Sequence, residues 1–186
     1  FHEGQNYNAY NFMGAHFTSE NRKRGVRFTI WAPRAKNIFL VGDFSNWETK
    51  EENKLERINE TGLWSIFIPR LKEGIKYKYY IEQEDGKAVL KADPYGIYSE
   101  VRPNTASILC EKTKIRWSDK KWLNKREETN YFESPINIYE LHLGSWKRKD
   151  EDEFLSYDEL SIILPKYIKE MGYTHVEFMP LNEHPL

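Results

Sequence analysis

Between Gly25 and Cys110 the hydrophobic positions recur every second residue in short bursts. Val26, Phe28 and Ile30 alternate with Arg27, Thr29 and Trp31, the pattern of a strand with one buried face. Ala32-Pro33-Arg34-Ala35 interrupts it, because proline cannot donate to a strand ladder. Further strands are predicted over Ile38–Val41, Trp64–Ile68, Tyr77–Glu82, Val89–Lys91 and Ala106–Cys110. Turn signals at Gly42-Asp43, Pro69, Glu73-Gly74, Asp85-Gly86 and Asp93-Pro94 separate them, with a polar stretch over Ser45–Gly62. Short strands at this spacing predict an antiparallel β-sandwich of immunoglobulin type. Trp64 opens a strand and is expected in its core. Trp31 lies on the opposite face from Val26, Phe28 and Ile30, and is expected to pack against an N-terminal extension or a following domain.

The flanks follow other rules. Residues 1–24 are polar and rich in Asn and Gly, with Gly14-Ala15-His16-Phe17 the one compact piece; they are expected to lie on the sandwich as an extension. With Phe1 in place of an opening Met, a trimmed or processed start is expected. Residues 113–135 show no clear period and read as a linker docked through Trp117, Trp122 and Tyr131. From residue 136 the grammar changes. Ile136–Leu141 is a strand, and Ser156-Tyr157-Asp158-Glu159 has the form of a helix capping box. Leu160, Ile163, Leu164, Tyr167, Ile168 and Met171 then recur at helical spacing, and Gly172 suits a left-handed stop. Pro165 predicts a kink or restart. His175–Met179 is a second strand, stopped by Pro180. Strand, helix, strand with a long connection predicts a right-handed parallel unit. Two parallel strands and one helix leave sheet faces uncovered, so further chain is expected downstream.

Composition narrows the function classes. The 186 residues carry a formal net charge of -1, with no basic stripe for nucleic acid. No apolar run approaches the roughly 20 residues that span a bilayer. One cysteine, Cys110, excludes an internal disulfide, fits a reducing cytosol and is expected as a small buried hydrophobe. Aromatic residues make up 15% of the chain, including six tryptophans and twelve tyrosines. Most of them are expected in β-cores, but half-exposed indoles also serve as platforms for the flat faces of sugars.

Two stretches resemble a known family. Gly25–Pro33 and Val41-Gly42-Asp43-Phe44-Ser45-Asn46-Trp47 resemble the β-sandwich that precedes the barrel in glycogen branching and debranching enzymes. The same module forms the glycogen-binding domain of the AMP-activated kinase β subunit. Gly74–Tyr79, Lys91–Tyr95 and Arg102–Ser107 agree with it. Ile138-Tyr139-Glu140-Leu141-His142-Leu143-Gly144-Ser145-Trp146 and Gly172–Pro185 are similar to the first two barrel strands of bacterial branching enzymes. The resemblance implies an immunoglobulin-like sandwich of the E-set type over residues 25–112. It implies the truncated start of a (β/α)8 TIM barrel over residues 136–186.

The resemblance also implies chemistry: cleavage of α-1,4 links and formation of α-1,6 branches by a retaining double displacement. The family's catalytic carboxylates lie on later strands, so this chain is expected to be inactive alone. Asp43, Asp93 and Glu140 are not substitutes, since they fall in the sandwich or inside the first barrel strand. Neither metal nor cofactor is implied. The partners implied are α-1,4-glucan chains and the remainder of the barrel, without nucleic acid or membrane, in the cytoplasm. Matching the kinase module, Asn46, Trp47 and Lys78 are the candidate glucan contacts. That module has a second tryptophan after its Asp-Gly turn, whereas Asp85-Gly86 is followed here by Lys87-Ala88. Trp47 therefore stands between sugar stacking and a structural brace. His142, Glu183 and His184 follow the two barrel strands and are candidates for the active-site rim or for holding their loops, and Trp146 has the same two roles open. The alternatives are a stand-alone glycogen-targeting module, or the front of a debranching or trehalose-forming hydrolase.

Overall fold

The computed structural model describes residues 4–58, 60–111, 115–150 and 153–181. The chain folds as two compact units, divided between Ile115 and Arg116.

The first unit is two antiparallel sheets packed face to face. One has the strand order β1 (Gly14–Glu20), β2 (Lys23–Trp31), β5 (Leu63–Pro69), β4 (Glu56–Arg57). In the other, β3 (Ala35–Gly42) pairs along one edge of β6 (Lys76–Gln83). The opposite edge of β6 is shared by β7 (Ala88–Lys91) and β9 (Ser107–Ile108), and β9 carries β8 (Tyr98–Ser99). Val26, Phe28 and Ile30 of β2 face Ile38 and Leu40 of β3 and Tyr77 and Tyr79 of β6, with Leu55, Trp64 and Leu109 completing the core. The period-two pattern thus placed the inward face correctly, and Trp64 is in the core, its Nε1–H donating to the Ala32 carbonyl. Trp31 remains about half exposed, its Nε1–H donating to the Thr61 carbonyl.

The expected N-terminal extension is in part a strand. β1 pairs with β2 over seven residues, from Gly14 opposite Thr29 to Glu20 opposite Lys23. The joining turn, Asn21-Arg22, has φ of 48° and 63°. A two-residue hairpin demands such left-handed pairs, and they are usually written with glycine. Arg22 conceals that signal, so the strand is not legible from turn chemistry. Cys110 lies partly buried just past β9, not in the core.

Tyr77 and Tyr79 give the sandwich a polar anchor. The Oδ2 of buried Asp93 accepts the hydroxyl of Tyr77 at 2.7 Å and that of Tyr79 at 3.4 Å, while Oδ1 accepts the Tyr95 N–H at 2.8 Å. Burial pushes the Asp93 carboxyl above the usual carboxylate range, and the Tyr77 hydroxyl leads the hydrogen bonds that oppose it.

The second unit holds α1 (Lys120–Glu128), β10 (Ile138–Leu141), the single turn α2 (Leu143–Trp146), α3 (Tyr157–Glu170) and β11 (His175–Phe178). The expected linker therefore contains a helix. β10 and β11 pair in parallel, Ile138 opposite His175 through Leu141 opposite Phe178. Helix α3 begins with the capping box read from sequence: Ser156 Oγ accepts the Glu159 N–H, and Glu159 Oε2 accepts the Ser156 N–H. It stops at Gly172, φ 75°, where the N–H groups of Gly172 and Tyr173 reach the carbonyls of Lys169 and Ile168. Of the kink or restart expected at Pro165, the restart is absent: the helix is continuous through it. Tyr139, Trp146, Tyr167 and Tyr173 form an aromatic cluster that packs α2 and α3 on β10, with the Trp146 Nε1–H donating to Tyr139 Oη at 2.9 Å.

Candidate functional site

The site in the first unit starts from a glycine. Gly42 ends β3 in extended conformation, where a Cβ would lie 2.2 Å from the Lys76 carbonyl oxygen. Only glycine permits β3 and β6 to approach this closely. The chain then makes a 3-10 turn, Asp43–Ser45, fastened by reciprocal hydrogen bonds between the Ser45 hydroxyl and the backbone of Gly42. Asn46 and Trp47 follow with φ of 54° and 62°. Two successive non-glycine residues in the left-handed region are costly, on the order of 1–2 kcal/mol each. The turn throws the Trp47 indole outward, 41% exposed.

Trp47 lines an open depression of about 390 Å³ at the beginning of β6. Lys78 lines it too, on the outer face of β6 between buried Tyr77 and Tyr79. The third wall is the loop from Pro103 to Ala106, which the fold brings beside Lys78. Lys78 Nζ donates to Thr105 Oγ1 at 2.7 Å. Lys76 Nζ pairs with Glu100 Oε1 at 2.8 Å, and Glu100 Oε2 accepts the Ala106 N–H at 3.0 Å. Hydrogen bonding to Glu100 raises the Lys76 pKa, and the same bond, with the Ala106 N–H, lowers that of Glu100. The depression therefore joins one aromatic face to ammonium, carboxylate, amide and hydroxyl groups with little apolar lining.

Of the sequence candidates, Trp47 and Lys78 converge. Asn46 is exposed and does not line the depression; its place is the left-handed turn that aims Trp47. Asp43, Lys76, Glu100, Asn104 and Thr105 join the site and were not singled out from sequence. Asp43, Lys76, Asn104 and Thr105 fall within the Val41–Trp47, Gly74–Tyr79 and Arg102–Ser107 stretches, Glu100 in none of them, and their meeting beside Trp47 is a matter of strand order. The Asp85-Gly86 turn, where a second tryptophan is missing, lies at the far end of β6 from Lys76.

Residues 12–96 match carbohydrate-binding module 48, the isoamylase N-terminal domain. Over all 186 residues the chain is 99% identical to the 1,4-alpha-glucan branching enzyme GlgB 1 of Clostridium perfringens (strain 13 / Type A). Its whole length is thus similar to part of a glycogen branching enzyme. It is also 57% identical, over its whole length, to the branching enzyme of Francisella tularensis subsp. novicida (strain U112). It spans 28% of the length of the first relative and 29% of the second. Among solved structures, pullulanase from Anoxybacillus sp. LM18-11, complexed with maltotriose, superposes with a TM-score of 0.65 at 22% identity. That match covers 94% of this chain and 25% of the pullulanase chain. Pullulanase type I from Bacillus subtilis str. 168, complexed with maltose, gives 0.62 at 18% identity, covering 93% and 24%. Identities this low speak for the fold alone.

The candidates after the parallel strands are placed as follows. His142 is exposed and caps α2, its ring accepting the Ser145 N–H at 3.2 Å. Trp146 is held in the aromatic cluster. Glu183 and His184 lie outside the described residues. Among the described residues no group of three or more His, Cys, Asp or Glu could hold a metal ion, and no helix is long and apolar enough to cross a membrane.

Proposed function

We propose that this chain is the glucan-binding front of a 1,4-α-glucan branching enzyme of glycogen biosynthesis, a cytoplasmic glycosyltransferase working by retaining glycoside-hydrolase chemistry. The observation that carries this reading is the 99% identity over every residue of the chain to one such enzyme. In it, residues 1–24 form an N-terminal arm whose strand Gly14–Glu20 joins the sheet of the immunoglobulin-like module over 25–112, and 113–135 form a connector. Residues 136–186 begin a (β/α)8 barrel, for which the parallel pairing of β10 with β11 around α3 is the support. The catalytic carboxylates belong to the later strands, and His142, Glu183 and His184 are assigned to the rim of that site.

The glucan site proposed on the sandwich is the depression at Trp47. Its indole takes the apolar face of a glucose ring, and Lys78, Asn104 and Thr105 exchange hydrogen bonds with the hydroxyls. One exposed stack and one charge-assisted hydrogen bond are each worth about 1–2 kcal/mol, so the site is weak alone and useful for holding a long chain near the barrel. The test is native gel retention of the full-length protein by amylopectin, run beside an iodine-stain branching assay. Trp47→Ala and Lys78→Ala are each expected to reduce retention about 3- to 10-fold. Unchanged retention in both would reject the site. An iodine stain that falls by release of sugar, with no new α-1,6 linkages, would reject branching in favour of hydrolysis.

A further inference from the structure

Asp43 occupies the first position of the 3-10 turn, and each of its two oxygens has a separate task. Oδ1 accepts the indole Nε1–H of Trp47 at 3.2 Å, and Oδ2 accepts the backbone N–H of Lys76 at 2.9 Å. The first bond holds the ring; the second fixes the carboxylate to the start of β6. These two elements are thirty-three residues apart in sequence and meet only because β3 and β6 pair, with Gly42 opposite Tyr77. A 41% exposed indole has little packing to hold its plane, so a hydrogen bond from a fixed acceptor is what orients it. We propose that Asp43 is the positioning residue of the Trp47 platform, pre-orienting the indole for glucan so that no ring ordering is left to be done on binding. The inference rests on the glucan reading of this depression and names a residue through which that reading works.

An asparagine at this position keeps one acceptor oxygen and turns an NH2 toward one of the two donors. Asp43→Asn therefore breaks one bond of the pair, and Asp43→Ala breaks both. The full-length protein is labelled with 5-fluorotryptophan, and the Trp47 ¹⁹F resonance, assigned by its loss in Trp47→Ala, is followed as maltoheptaose is added. In the unsubstituted protein the resonance is expected to move on titration. In Asp43→Ala it starts nearer the position of free fluorotryptophan and needs about 3- to 10-fold more maltoheptaose, with Asp43→Asn between the two. Retention by amylopectin is then compared in Trp47→Ala and Asp43→Ala/Trp47→Ala. Equal retention is expected, since Asp43 acts only through the ring. A resonance and a midpoint in Asp43→Ala equal to those of the unsubstituted protein overturn the proposal, as does a further loss of retention in the double variant. A Trp47 resonance that ignores maltoheptaose in the unsubstituted protein overturns the glucan reading itself, and the role of Asp43 with it.

Discussion

Asp93 is the residue on which the sandwich interior most depends for polar satisfaction. Tyr77 and Tyr79 are 1% and 0% exposed, and both hydroxyls end on one carboxylate oxygen. Asp93→Ala leaves two buried donors without that acceptor and is expected to cost about 2 kcal/mol or more, read as a lowered urea midpoint with unchanged slope. Glu159 acts at the surface and through charge. Lys149 and the Ser156 N–H and hydroxyl hold its carboxyl at about 2, against an ordinary 4.5. A depressed carboxylate stabilises the fold above its unfolded value, and that contribution is lost as pH falls from about 4.5 toward 2. The first-turn amides of α3 are expected to lose protection, read as exchange relative to the intrinsic rate at each pH, progressively over that window. In Glu159→Gln, which cannot titrate, the acid-dependent part of the change disappears.

At the scale of elements, two joints carry predictions. The capping box of α3 satisfies donors that helix geometry leaves free, so Ser156→Ala is expected to destabilise the second unit by about 1 kcal/mol, measured by thermal unfolding. Gly42 is the joint under the candidate site. Gly42→Ala places a methyl 2.2 Å from the Lys76 carbonyl, and the neighbour it meets is strand backbone, which cannot swing aside. Overpacking of this kind costs about 1–3 kcal/mol. The expected result is a lower melting temperature together with weaker amylopectin retention, because the same shift moves Asp43 and Trp47 away from β6.

For the molecule as a whole, the second unit has, among the described residues, the single turn α2 and the longer helix α3 between two parallel strands whose side chains remain open. Ile138, Val176 and Phe178 are 53%, 36% and 44% exposed. Parallel strands are stable when both faces are covered, and unpaired edges invite other strands. Produced by itself, the 186-residue chain is expected to form oligomers or aggregates by light scattering and to show no branching in the iodine assay. A monodisperse, cooperatively melting monomer would contradict the first expectation, and new α-1,6 linkages the second.

The sequence by itself determined whatever is written in local period and local chemistry. Alternation at Val26, Phe28 and Ile30 specified the inward face of β2, and the Ser156–Glu159 box and Gly172 specified both ends of α3, because those signals lie within one strand or one helical turn. Where the local signal was weak or misleading, the reading failed. Arg22 stands where a hairpin turn usually has glycine, and α1 carries no buried face to impose a period. The candidate site was half legible. Trp47 and Lys78 carried a resemblance, but Asp43, Lys76, Glu100 and Thr105 became neighbours only through the antiparallel register of β3 with β6 and the return of the Pro103–Ala106 loop. That register is a long-range choice, made by burying Tyr77 and Tyr79 against Phe28, Ile38 and Leu40. No window of sequence contains it, so the grouping of indole, ammonium and carboxylates around one depression belongs to the tertiary structure alone.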